Sequence, residues 1–221
     1  MIFGYRPSTP KRFVLILPLI GMGVFVFLYL VAAFMYPGGS WKFPEAEGFS
    51  FWNNYLCDLL DHYAINGELN NGRYPARIAL GFLVSALLLL WYYLPGFLPK
   101  KGFNQKVMWI SGILSLGTTF FLSTGTHDIT VRVAGSLGTL AFLSLFVELF
   151  RVGLARLFIT GILCLIIFLI NYYIYETGRH IEALPIIQKI TFAAFISWFA
   201  VLNLAMISKI KTGPEEQTEN L

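Results

Sequence analysis

Several absences narrow this chain before any motif is read. Charged residues make up 13% of its 221 positions, against about one-quarter in an average soluble domain. Cysteine is nearly missing: Cys57 and Cys164 are the whole complement, one in a polar stretch and one inside an apolar run, so no disulfide framework is expected. Histidine occurs three times. The chain carries no P-loop, no GxGxxG, no GxSxG, no HExxH and no CxxC pair, so none of the short motifs for nucleotide binding, serine hydrolysis, metalloprotease or dithiol chemistry is present.

Apolar residues fill the space that charge leaves. They make up 57% of the chain, and mean hydropathy is +0.68. A bilayer core of about 30 Å takes about 20 helical residues to cross. Six runs approach that length: 12–34, 77–94, 107–123, 131–150, 154–175 and 191–208. They predict an all-α, polytopic membrane protein, a single six-helix transmembrane domain over 1–211 with a disordered polar tail at 212–221. Lys11 and Arg12 precede the first run in the manner of a signal peptide. That run is longer than the roughly 7 to 15 residues of a signal h-region, and no A-x-A site follows before Tyr36, so it is expected to remain as a span.

Lysine and arginine set the expected orientation. With the N-terminus inside, ten of the sixteen fall on the cytoplasmic side and six on the other, which places both termini in the cytoplasm of a plasma or bacterial inner membrane. The net charge of +4 then reports topology, not nucleic-acid binding.

Against this background the run FWNNYLCDLLDHYAINGELNNGR, in the first outer loop, is conspicuously polar. Phe51, Trp52, Tyr55, Leu56, Leu59, Leu60 and Tyr63 recur at i, i+3, i+4 spacing, which predicts a short amphipathic helix over 51–63 at the outer interface. Asn53, Asn54, Asp58, Asp61 and His62 would form its other face. Asn66-Gly67 and Asn71-Gly72 mark turns that return the chain to the second span, and Pro75 favours a stop before that helix.

All three histidines fall in the expected outer loops: His62 at 36–76, His127 at 124–130 and His180 at 176–190. Three neutral imidazoles could hold zinc while Asp58, Asp61 or Asp128 orients an attacking water. Asp58 and His62 stand at i, i+4 and would share one helix face. Ordinary readings compete: an interfacial helix needs a polar face, Asp128 can cap the fourth helix, and His180 beside Arg179 can meet lipid phosphate. Glu148 and Arg151, at i+3, read as an interfacial ion pair. Small residues in the third and fourth runs read as helix packing.

The run GFSFWNNYLCDLLDHYAINGELNNGR, followed by a span, and the later STGTHD turn resemble uncharacterised bacterial six-helix membrane proteins, a domain-of-unknown-function group. More distantly, the six-helix layout with a polar first outer loop is similar to the Frag, DRAM and Sfk membrane proteins. The resemblance implies a six-helix bundle and a tie to lipid handling, and it carries over no catalytic residue. The ceramidase-like membrane hydrolases also combine histidines and an aspartate around zinc, but their HxxxH spacing is missing from the last run here.

Two functional classes follow. One is a metal-dependent hydrolase or transferase acting on a membrane lipid. The other is a non-catalytic sensor or complex subunit whose outer polar cluster binds a lipid headgroup or a protein partner. A transporter ranks third, because the spans carry almost no charge at mid-depth to form a relay.

Overall fold

The computed structural model describes residues 10–98, 102–121 and 127–211. Those residues form six long helices: α1 (Arg12–Phe34), α2 (Arg73–Tyr93), α3 (Phe103–Thr119), α4 (His127–Arg151), α5 (Ala155–Thr177) and α6 (Leu184–Lys211). Five of them, all but α3, are long and apolar enough to cross a membrane. No strand occurs among the described residues. The tail at 212–221 and most of the STGTHD turn lie outside the described residues.

The helices pack mainly in chain order: α1 on α2, α2 on α3, and so on to α6, which returns to α1. Such a ring follows from short connections between antiparallel neighbours. Its centre is filled by aromatic side chains. Phe142 of α4 lies within 5.1 to 6.1 Å, centroid to centroid, of Trp91, Phe146, Phe195, Trp198 and Phe199. Trp91 is buried against Gly112 of α3, where a Cβ would enter the indole, and its Nε1 donates to Met108 O at 3.1 Å. Glycine is therefore what lets α2 and α3 approach there.

Four helix starts precede the sequence expectation: α3 at Phe103 instead of 107, α4 at His127 instead of 131, and, with more consequence for the cap, α2 and α6. α2 begins at Arg73, with Pro75 inside its first turn, where the N–H that proline lacks would have had no helical partner. α6 begins at Leu184, so Gln188 and Lys189 belong to the helix and project into the cap end of the bundle. At the other end Glu148 is buried beside Asn104, Gln105 and Arg151.

The segment between α1 and α2 folds as a cap over the bundle. It carries no three-turn α-helix: 51–53 are a turn, and a 3₁₀ turn covers Cys57–Leu60 and ends in extended backbone at Asp61. The reason is competition for backbone donors. Tyr55 N donates to Asp58 Oδ2 at 2.8 Å and Leu56 N to Gln188 Oε1 at 2.7 Å, so neither is available to an i−4 carbonyl. Gly39, at φ +82°, packs where a Cβ would strike Asn66 N and Pro44 O; glycine alone takes that turn without strain.

Candidate functional site

The centre of the cap is Asn54, which is fully buried. Its Oδ1 accepts Ser50 N at 2.8 Å, and its Nδ2 donates to Gly39 O at 2.7 Å and to Asp58 Oδ2 at 3.0 Å. Its carbonyl accepts Lys189 Nζ of α6 at 2.5 Å. The same ammonium donates to Pro185 O at 3.0 Å and lies 5.6 and 5.2 Å from the ring centroids of Phe49 and Phe51. Asn54 thus joins an ammonium to a carboxylate that it does not touch. Cation–π contacts and carbonyl dipoles supply the rest of what water gave Lys189.

Asp58 is 8% exposed. Burial pushes its carboxyl above the usual carboxylate range, opposed by the bonds from Asn54 and Tyr55 N. Beside it, burial and then the Asp58 charge push the Cys57 thiol up to about 12, so this cysteine is not a thiolate nucleophile at neutral pH.

The end of the 3₁₀ turn is satisfied by side chains from further along the chain. Asn70 Nδ2 lies 3.3, 3.2 and 3.0 Å from the carbonyls of Asp58, Leu59 and Asp61. Arg77 donates through Nε and Nη2 to Leu60 O at 3.0 and 2.8 Å. Buried Arg73 donates to Asn70 O at 2.7 Å and His62 O at 3.3 Å. The backbone carbonyls of 58–62 are thereby all paired within the protein, which makes this part of the cap a folded unit.

The expected site residues fall in different surroundings. Asp58 faces inward to Asn54, while His62 is exposed and meets the Tyr63 ring edge to face at 4.7 Å. The helix face they were expected to share is not formed, since the turn ends between them. Asp61 is exposed, with its carbonyl on Asn70. Asp128, in the first turn of α4, accepts Tyr175 OH at 2.5 Å. Next to that pair Arg132 binds Glu176 through two nitrogens at 2.8 and 3.2 Å. His180 is exposed in the left-handed region, φ 58°, after Gly178 ends α5. His127 opens α4, and its side chain lies outside the described residues. Among the described residues no group of three His, Cys, Asp or Glu could hold a metal ion.

Asn54, Asn70, Arg73, Arg77, Gln188 and Lys189 carry the cap, and apolar periodicity does not single them out. One signal was available: three cations, Arg73, Arg77 and Lys189, stand just where apolar runs begin. Cations at the ends of long apolar runs pair with carbonyls or carboxylates. Comparison with protein-family models, with curated proteins and with solved structures finds no match to this chain.

Proposed function

We propose that this chain is a six-span, non-catalytic membrane protein, a sensor or complex subunit, whose cap is a preformed outer binding element for a lipid headgroup or a protein partner. The observation that carries the reading is that Asp58 is taken up by Asn54, which is itself bonded to Lys189 of α6, while Leu56 N bonds Gln188 of the same helix. A catalytic carboxylate has to be presented to substrate, whereas Asp58 is turned into the fold.

The sixth span is α3. Its 17 residues reach about 25 Å at 1.5 Å per residue, and it packs against α2 and α4. Both termini are cytoplasmic in a plasma or bacterial inner membrane, by the ten-to-six division of lysine and arginine. Membership of the six-helix group related to Frag, DRAM and Sfk proteins accords with this layout and is proposed with it.

Metal content of the purified protein separates this reading from a zinc-dependent lipid hydrolase or transferase built on His62, His127 and His180. Less than a tenth of an equivalent of zinc is expected. Stoichiometric zinc, lost on His62→Ala or His180→Ala with the fold kept, would replace the module by the enzyme. Topology is read with a membrane-impermeant thiol reagent on intact cells, at exposed Glu68→Cys in a Cys57→Ser background; labelling there is expected, and its absence reverses the orientation.

A further inference from the structure

The cap has two unlike surfaces. On one, Pro37, Glu45, Ala46, Glu47, Asn66 and Glu68 line a shallow open depression, rich in carboxylates. On the other, large rings stand clear of the fold: Trp41 is 76% exposed and Trp52 68%, and Phe43 and Phe51 are more than half exposed. Four large rings bared together on one side of a polar cap mark a surface that something covers.

The positions of these rings identify the cover. Phe51 and Trp52 meet edge to face at 5.4 Å, and Phe51 is held over Lys189 at the start of α6. Trp41, Lys42 and Phe43 form a tight turn closed by Ser40 N to Phe43 O at 3.0 Å and Phe43 N to Ser40 O at 3.1 Å. Lys42 reaches Glu182, just before α6, at 3.8 Å. Both groups therefore lie over the α6 start, level with the ends of the spans. At the same end of the bundle Phe34 and Met35 leave α1, and Tyr74 and Ile78 enter α2, with exposed apolar side chains. Trp and Lys are the residues that suit this depth, since each offers an apolar body and a polar tip. A face bearing Glu45, Glu47 and Glu68 belongs in water.

We propose that the cap is seated in the outer membrane interface, with Trp41, Phe43, Phe51 and Trp52 inserted among phospholipid headgroups and the Glu45, Glu47 and Glu68 face turned to water. The proposal rests on the reading of the chain as membrane-spanning and names lipid as the cover of this edge. Full-length protein in phosphatidylcholine vesicles, with and without a headgroup spin-labelled lipid, tests it through tryptophan emission. The chain has five tryptophans, so the signal is the difference between wild type and the Trp41→Phe/Trp52→Phe variant. Phenylalanine at two exposed positions leaves the core rings unchanged, and a melting curve checks the fold.

The expected result is that the double variant loses more than half of the emission that the headgroup label quenches, while aqueous iodide quenches little in either protein. Emission from Trp41 and Trp52 that iodide quenches and the label does not overturns the seat in lipid. Emission that neither quencher reaches overturns it in favour of a protein cover. Each of these leaves the binding-element reading standing. Failure of the protein to float with vesicles removes the membrane reading instead.

Discussion

Asp58 at the cap end and Glu148 at the opposite end are both buried carboxylates, yet they are held in different ways. Glu148 has a guanidinium one turn along its own helix, Arg151 Nη1 at 2.9 Å, with Asn104 Nδ2 at 2.7 Å and Gln105 Nε2 at 3.3 Å from α3. Asp58 has an amide and a backbone N–H, and its nearest cation acts through Asn54. Glu148 is neutralised by a local pair and braced from one neighbour. Asp58 depends on a connection to residue 189 that exists only when the cap is folded. Loss of a partner should therefore cost more at the cap end, and changes there should act on the cap as a unit.

The sharpest way to break the contrast is Asn54→Leu. It removes two amide donors and an acceptor from a fully buried position, strands Gly39 O and Ser50 N, and leaves Asp58 with Tyr55 N. A loss of about 4 kcal/mol is expected, at about 1 to 3 per buried group left unpaired. Unfolding followed by tryptophan emission in detergent measures it; a loss below about 1 kcal/mol would mean that the cap does not depend on Asn54.

Next in size is Lys189→Met, which keeps the stem and deletes the ammonium. Asn54 O loses its donor and Asp58 its nearby cation, for about 2 to 3 kcal/mol. Hydrogen exchange locates the effect: amides at 50–61 should exchange at least tenfold faster while α3 and α4 do not change. Uniform acceleration would deny that the cap is a separate unit.

At the opposite end, Arg151→Ala should cost less, about 1 kcal/mol, because the guanidinium is 57% exposed and the pair is only half buried. Asn104 and Gln105 continue to donate to Glu148 in that variant. A loss equal to that of Lys189→Met would erase the contrast between the two ends.

The smallest effect expected is in pH dependence. Burial raises the Asp58 carboxyl above its ordinary 3.8, so the folded cap binds this proton more tightly than the unfolded chain does. Its contribution is complete below pH 3.8 and is lost as pH rises through the raised folded value. Wild type minus Asp58→Asn should therefore show stability falling with pH over that window, by about 1.4 kcal/mol for every tenfold by which folding tightens proton binding. A difference that rises with pH would mean that the Asn54 and Tyr55 bonds outweigh burial.

The long helices were legible because a run long and apolar enough to cross a hydrocarbon core has a length and a composition that no loop shares, and the runs 12–34 and 154–175 nearly match α1 and α5. The Glu148–Arg151 pair was legible because i, i+3 neighbours on a helix meet whatever the fold. The amphipathic period over 51–63 misled, because a repeat of apolar residues does not reveal whether nearby Asn and Asp side chains will take the backbone donors first. Asp58 and His62 were expected together on that helix and are not, since the turn that replaces it ends after Leu60.

What the sequence determined by itself is therefore one-dimensional: how many apolar runs there are, how long they are, and which charges lie between them. Those follow from transfer of single segments between water and lipid, a property of each stretch alone. Only the tertiary structure decided that Asn54 meets Lys189, 135 residues away, and that Gly112 receives Trp91. Such contacts depend on which helices become neighbours and at what register, and that is set by packing across the whole ring, which no single segment encodes.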